Sequence, residues 1–331
     1  MFSFFRSRKP VAPPAAPVSA IAQRVNANLM LQRLEWTVLR RLDGMLQGDY
    51  RTVMRGFGMD FADLREYQAQ DDVRYIDWNV TARMATPYVR EFQEDREIEA
   101  WFALDLSGSV DFGSVGVKKR ELAAEFTGSM ARMFTRRGNR VGALLHSDRP
   151  GVAPRVMSPR RGRRQVLHLL DAIENHGALT QAAGAGQLTD LARLLRDADA
   201  TVRRRSVVFV VSDFVSVPGW EEALAQLSRR HEVVAVRLFD PLERALPAMG
   251  FVVMQDAETG EQLLVDTQDS GFRDRFAKIA QEREDTLRQA CRRAGVDLLE
   301  LSTTDQIAQE LLRFVEMRRR RSRVRNSAVG V

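Results

Sequence analysis

Ile98-Glu99-Ala100-Trp101-Phe102-Ala103-Leu104-Asp105-Leu106-Ser107-Gly108-Ser109 is the stretch on which the fold turns. Residues 98–104 form a short, mostly apolar run that ends in an acidic residue. A run of that length reads as a strand buried on both faces, and Asp105 stands at its carboxyl end. The turn that follows alternates oxygen-bearing side chains with small or apolar residues. One such turn can aim three oxygens at a single point.

Outward from this strand, strand and helix patterns alternate. Residues 118–136 read as a helix, 140–145 and 153–157 as strands, and 164–174 and 189–198 as helices. Residues 206–212 are an apolar strand that ends at Asp213. A helix over 218–230 and a strand over 232–238 continue the series. The alternation predicts an α/β fold with a doubly wound, mostly parallel sheet and helices on both faces. Two short runs, 251–255 and 261–266, flank Glu258-Thr259-Gly260 and read as a hairpin. A helix over 272–294, a strand over 296–301 and a helix from 305 to about 319 follow.

The amino-terminal part has another character. Residues 10–18 are a Pro/Ala linker. Leu29, Leu31, Leu34, Val38, Leu39 and Leu42 recur at helical spacing within 21–46. Residues 48–97 mix glycines, aromatics and short β-like runs, an irregular segment with a few strands. The organisation expected is therefore a flexible segment over 1–20, a helix and irregular segment over 21–97, an α/β domain with a carboxyl-terminal extension over 98–317, and a basic tail over 318–331.

Composition narrows the class. A chain of 331 residues can bury a full core without staples, and 44% hydrophobic with 28% charged residues suits a globular protein. Cys291 is the single cysteine, so no internal disulfide forms. No apolar run is long enough to span a bilayer. Arg6, Arg8 and Lys9 interrupt the opening Phe residues before an export signal can build. These features point to a cytoplasmic protein. The net charge of +6 gathers in Arg160, Arg161, Arg163 and Arg164, in Arg203 to Arg205, and in Arg318 to Arg321 with Arg323 and Arg325. Such clusters can meet phosphates or an anionic surface. Without interleaved aromatics the plainer reading is a solvated face. The tail is the better candidate for a contact.

In an open parallel sheet, ligands bind beyond the carboxyl ends of the strands. Asp105 and Asp213 both reach that edge, and Thr189 precedes a helix near it. With Ser107 and Ser109 they make an oxygen-only set, which hard divalent cations such as Mg²⁺ prefer. The competing reading is that Asp105, Ser107 and Ser109 only cap a helix and tighten a turn.

In chain order, Asp-x-Ser-x-Ser, then Thr, then Asp resembles the metal-ion-dependent adhesion site of von Willebrand A domains. Gly48-Asp49-Tyr50, Arg55-Gly56-Phe57-Gly58-Met59-Asp60-Phe61, Leu64-Arg65-Glu66-Tyr67, Asp71-Asp72-Val73-Arg74-Tyr75-Ile76-Asp77-Trp78-Asn79, Ala82-Arg83, and Asp240-Pro241-Leu242-Glu243 before Leu246-Pro247 resemble the family called "domain of unknown function 58". The likeness spans roughly 31–314. It departs at Gln70, where the family usually has Gly. The resemblance implies a von Willebrand A-like domain. It also implies a MoxR-type AAA+ ATPase as partner, in a chaperone-like or maturation system. Metal roles pass to Asp105, Ser107, Ser109, Thr189 and Asp213. Ser107, Ser109 and Thr189 would be direct ligands, and the aspartates would bind directly or hold waters. The charged segment Arg65, Glu66, Asp71, Asp72, Arg74, Asp77 and Arg83 reads as an ion-pair network, with Tyr67, Ile76 and Trp78 docking it onto the sheet.

The expected function is thus a metal-dependent protein–protein interaction module using Mg²⁺, or Mn²⁺ or Ca²⁺. A partner's Asp or Glu carboxylate would complete the metal's shell. Two alternatives stand beside it: a nucleic-acid or anionic-membrane-surface binder acting through the basic tail, and a metal-dependent hydrolase. No catalytic base stands out among His146, His168, His176 and His231, and there is no phosphate-binding Gly-rich loop or zinc spacing. The chain is therefore not expected to be an enzyme.

Overall fold

A computed structural model describes residues 64–68, 73, 76, 78–84, 86–90, 99–114, 116–146, 154–181, 189–255 and 262–329. The linker, the helix expected over 21–46 and, of the charged segment, Asp71, Asp72, Arg74 and Asp77 lie outside the described residues. At the amino-terminal end, β1 (Leu64–Glu66) pairs antiparallel with β2 (Tyr88–Arg90), and α1 (Trp78–Met84) lies between them in sequence. Ile76 bridges to Val89, and the Tyr88 amide donates to Thr81 Oγ1 at 3.0 Å. Trp78 differs from expectation. It does not dock on the sheet but is 69% exposed. The small unit buries Val89 among local partners, and the exposed side of α1 carries the indole.

The main sheet holds β3 (Glu99–Asp105), β4 (Arg140–His146), β5 (Arg155–Arg160), β6 (Val207–Ser212), β7 (Glu232–Phe239) and β10 (Asp297–Ser302). Their order is β5-β4-β3-β6-β7-β10. Every pair is parallel except β4–β5. The β4–β5 link is too short for a crossover helix, so the chain returns antiparallel. Pro159 sits in β5, the edge strand, where a missing N–H is tolerated. Gly142 lies at the register shift between these strands. A Cβ there would meet the Met157 carbonyl oxygen at 2.9 Å, so no larger residue fits without movement.

Among the described residues, six helices cover the sheet. α2 (Lys119–Arg136), α3 (Arg163–Gln181) and α7 (Ile307–Val329) pack on one face. α4 (Leu191–Thr201), α5 (Trp220–Arg230) and α6 (Ser270–Ala294) pack on the other. Period-2 alternation divides each central strand between the two layers. Phe102, Leu104 and Phe209 enter the first layer, and Trp101, Ala103, Val208 and Val210 the second. Phe102 stacks on Phe209 at 5.2 Å, and Phe126 and Phe134 meet the Phe209 ring edge-on. Both faces are buried, so the strands read as continuous apolar runs.

The carboxyl-terminal helix runs further than the sequence reading places it. The basic run over 318–325 continues α7 instead of forming a separate tail, because arginine is a good helix former and extending a helix is easier than starting one. Arg318 itself belongs to the domain: it pairs with Glu232 at 2.6 Å and with Asp297 at 2.7 Å. The hairpin β8 (Phe251–Gln255) and β9 (Gln262–Asp266) forms as expected, and Phe251, Val253 and Leu264 share its exposed face. Among the described residues no helix is long and apolar enough to cross a membrane.

Candidate metal centre at the sheet's switch point

Strand order reverses between β3 and β6. The helices that follow these strands, α2 and α5, leave toward opposite faces, so a crevice opens at the strands' carboxyl ends. Asp105 closes β3 there, and Asp213 follows β6. Both are buried, at 1% and 5% exposure.

Asp105 sits in a demanding position. Its Oδ1 accepts the Ser107 amide at 3.2 Å, and its Oδ2 accepts the Ser212 hydroxyl at 2.7 Å. Burial, with the Asp213 charge nearby, nevertheless pushes its pKa up to about 6. The Ser107 and Ser109 hydroxyls lie 3.1 Å apart. The Ser109 hydroxyl lies near enough to Asp213 to help lower its pKa. The structure therefore brings Asp105, Ser107, Ser109 and Asp213 into one cluster. Asp105 does tighten the turn, as the competing reading holds. The Ser107 side chain, however, makes no capping bond to the short 3₁₀ turn Gly108–Asp111 that it precedes. Thr189, 1% exposed, is tied to the same corner through its backbone: its carbonyl accepts the Val217 amide at 3.1 Å and the Ser216 hydroxyl at 2.9 Å.

Local backbone geometry holds Asp213 in place. Phe214 adopts φ 59°, the left-handed region that residues other than Gly rarely enter. Its ring packs edge-on against Trp220 at 5.5 Å, and its amide donates to the Ser212 hydroxyl at 2.9 Å. In this turn Asp213 Oδ1 accepts the Val215 amide at 3.0 Å. Burial alone would push Asp213 upward. The Lys119 ammonium, the Val215 amide and the Ser109 hydroxyl together hold it below the usual carboxylate range.

Sequence reasoning gave no role at this edge to Ser212 and Lys119, nor to Asp240 and Glu243, which it quoted only as part of the family signature. Ser212 serves both Asp105 and Phe214. Lys119, 1% exposed, places Nζ 2.8 Å from Asp213 Oδ2 and 2.7 Å from Glu243 Oε1. Burial works against its charge, yet the two carboxylates hold its pKa above the ordinary lysine value. Asp240, directly after β7, accepts the Ser114 amide and hydroxyl, the Leu242 amide and the Thr303 hydroxyl. One signal was available for Lys119: Lys118-Lys119 opens a helix, where the macrodipole disfavours cations.

The donor set fits a hard cation. All five expected residues carry oxygen, and neighbouring ligands of an octahedral Mg²⁺ lie about 3 Å apart, close to the Ser107–Ser109 separation. Among the described residues no group of three or more His, Cys, Asp or Glu forms, so a site here must draw on hydroxyls. His146 pairs in register with Asp105, and its carbonyl accepts the Leu106 amide at 3.0 Å. Cys291 is a core residue, and burial pushes its thiol up to about 12.

A doubly wound sheet of this order, with an antiparallel edge strand and Asp-x-Ser-x-Ser at the switch point, defines a von Willebrand A-like α/β domain. Residues 63–286 match the family model described as "Protein of unknown function DUF58", and the chain belongs to that family. It is similar to "Uncharacterized protein Rv1480" of Mycobacterium tuberculosis, 37% identical over 292 residues, covering 88% of this chain and 89% of that one. Among solved structures it is similar to BatB of Bacteroides thetaiotaomicron, at TM-score 0.41 and 14% identity over 66% of this chain and 99% of that one. It is also similar to the SpRpn10 VWA domain, at TM-score 0.29 and 12% identity over 65% and 93%. The architecture itself rests on this chain's own strand order.

Proposed function

We propose that the chain is a protein-interaction module that docks its partner through a divalent cation, Mg²⁺ or else Mn²⁺ or Ca²⁺, at the β3–β6 corner. One observation carries the reading: the Ser107 and Ser109 hydroxyls lie 3.1 Å apart beside two buried strand-end carboxylates. Ser107, Ser109 and Thr189 would hold the cation directly, and Asp105 and Asp213 directly or through water. A cation held largely by neutral hydroxyls stays electrophilic and can accept a carboxylate oxygen from another protein. Family resemblance supports a MoxR-type AAA+ ATPase as that partner, in chaperone-like maturation or complex assembly. Binding, rather than catalysis, is the role that the donor set suits.

Calorimetric titration with Mg²⁺ and Mn²⁺ tests this on the wild-type protein and Asp105→Ala, with thermal unfolding of both. Saturable binding by the wild type is expected, lost in a folded Asp105→Ala. A folded wild-type protein that binds neither ion, alone or with the ATPase present, would overturn the reading.

A further inference from the structure

Lys119 is placed where a folding helix alone would not put a cation. It opens α2, against the helix dipole, and its side chain is 1% exposed. An uncharged side chain of similar length would fill the same space without the cost of burying an ammonium group. The chain instead keeps the charge and matches it with two carboxylates that follow two different strands: Asp213 after β6 at 2.8 Å and Glu243 after β7 at 2.7 Å. Asp213 therefore has both oxygens engaged, Oδ1 by the Val215 amide and Oδ2 by Lys119. Glu243 is held in turn, since its other oxygen accepts the Asp240 amide at 3.1 Å.

We propose that Lys119 is a positioning residue of the cation site, a built-in ammonium that shares Asp213 with the divalent ion and sets how tightly that ion is held. The proposal rests on the metal-site reading above. Lys119 fixes the Asp213 carboxylate and cancels part of its charge. The corner then holds a divalent ion less tightly than two free aspartates would, which leaves the ion's charge available to an incoming carboxylate. Glu243 acts in the opposite sense: it takes a share of the ammonium and adds negative charge at the corner. Removing Lys119 and removing Glu243 should therefore shift metal affinity in opposite directions. A merely structural ion pair has no reason to do so.

Mn²⁺ titration by calorimetry on wild type, Lys119→Met, Lys119→Arg and Glu243→Gln provides the test, with circular dichroism and thermal unfolding of each protein. At a few ångströms a unit charge changes cation binding by about tenfold or more. Lys119→Met is expected to bind Mn²⁺ at least about tenfold more tightly than wild type. Lys119→Arg keeps the charge and should stay near wild type, and Glu243→Gln should bind several-fold more weakly. A folded Lys119→Met with unchanged or weaker affinity overturns the proposal. If Lys119→Met does not fold, Glu243→Gln decides it, and unchanged or tighter binding there overturns it. Failure of all four proteins to bind Mn²⁺ removes the metal-site reading and this proposal together. Binding by the wild type with no response in either variant removes the Lys119 role alone.

Discussion

Asp105 and Asp240 stand at the ends of two strands of one sheet, both out of solvent, and the fold treats them in opposite ways. Asp240 receives four hydrogen bonds, from the Ser114 amide and hydroxyl, the Leu242 amide and the Thr303 hydroxyl. Burial would raise its pKa, but these donors hold it below the usual carboxylate range. Asp105 accepts the Ser107 amide and the Ser212 hydroxyl, with the Ser107 hydroxyl nearby, but burial and the second carboxylate, Asp213, outweigh these donors and raise its pKa to about 6. Placement at a strand end does not by itself make a site. A carboxylate whose acceptor capacity is filled is a structural tie. One left short of donors beside a like charge is a place where a cation would relieve the fold.

The largest expected effect breaks the tie. Asp240→Ala strips the partner from four donors that link the segment after the first site turn, the turn after β7 and the start of the segment after β10. It should cost about 3 kcal/mol or more, from several buried donors left unpaired, read by urea denaturation. A loss under about 1 kcal/mol would mean that solvent replaces Asp240, and the contrast with Asp105 would collapse.

Asp105→Asn probes the other side of the comparison, with chelator present. The folded carboxyl titrates near 6 against 3.8 for the free group, so the folded state holds the proton more tightly between those values. Stability contributed by protonated Asp105 is present at low pH and lost as pH rises from about 4 to 6. At pH 8 the Asn variant should be more stable than wild type by about 3 kcal/mol, and the difference should shrink below pH 4. Equal stability at both pH values would show that Asp105 is as well satisfied as Asp240. The smallest effect is Ser114→Ala, which keeps the amide bond to Asp240 and loses the hydroxyl. About 1 kcal/mol is expected from the same denaturation experiment, with no change in Mn²⁺ affinity.

Much of this was legible before any coordinates. The runs ending at Asp105 and Asp213 are apolar and short, and each is followed by helix periodicity, so a parallel sheet with acidic residues at its carboxyl edge follows. Ser107 and Ser109 carry their own spacing. The irregular segment was less legible: Trp78 looks like an anchor by residue type, but burial depends on what lies opposite, which no local pattern records. The helical continuation through the basic run was equally hidden, because charge density says where solvent is tolerated, not where a helix stops.

The sequence by itself determined the strand–helix alternation, the two layers of core side chains and the identity of the oxygen donors, because periodicity and residue type are local properties. Tertiary structure alone decided which buried carboxylate has its acceptors filled and which faces a second carboxylate. Ser212 reaches Asp105 across 107 positions, Lys119 reaches Asp213 across 94, and Thr303 reaches Asp240 across 63. Whether a buried charge is satisfied depends on donors that only chain crossing brings within hydrogen-bond distance, and no spacing in the sequence encodes that distance.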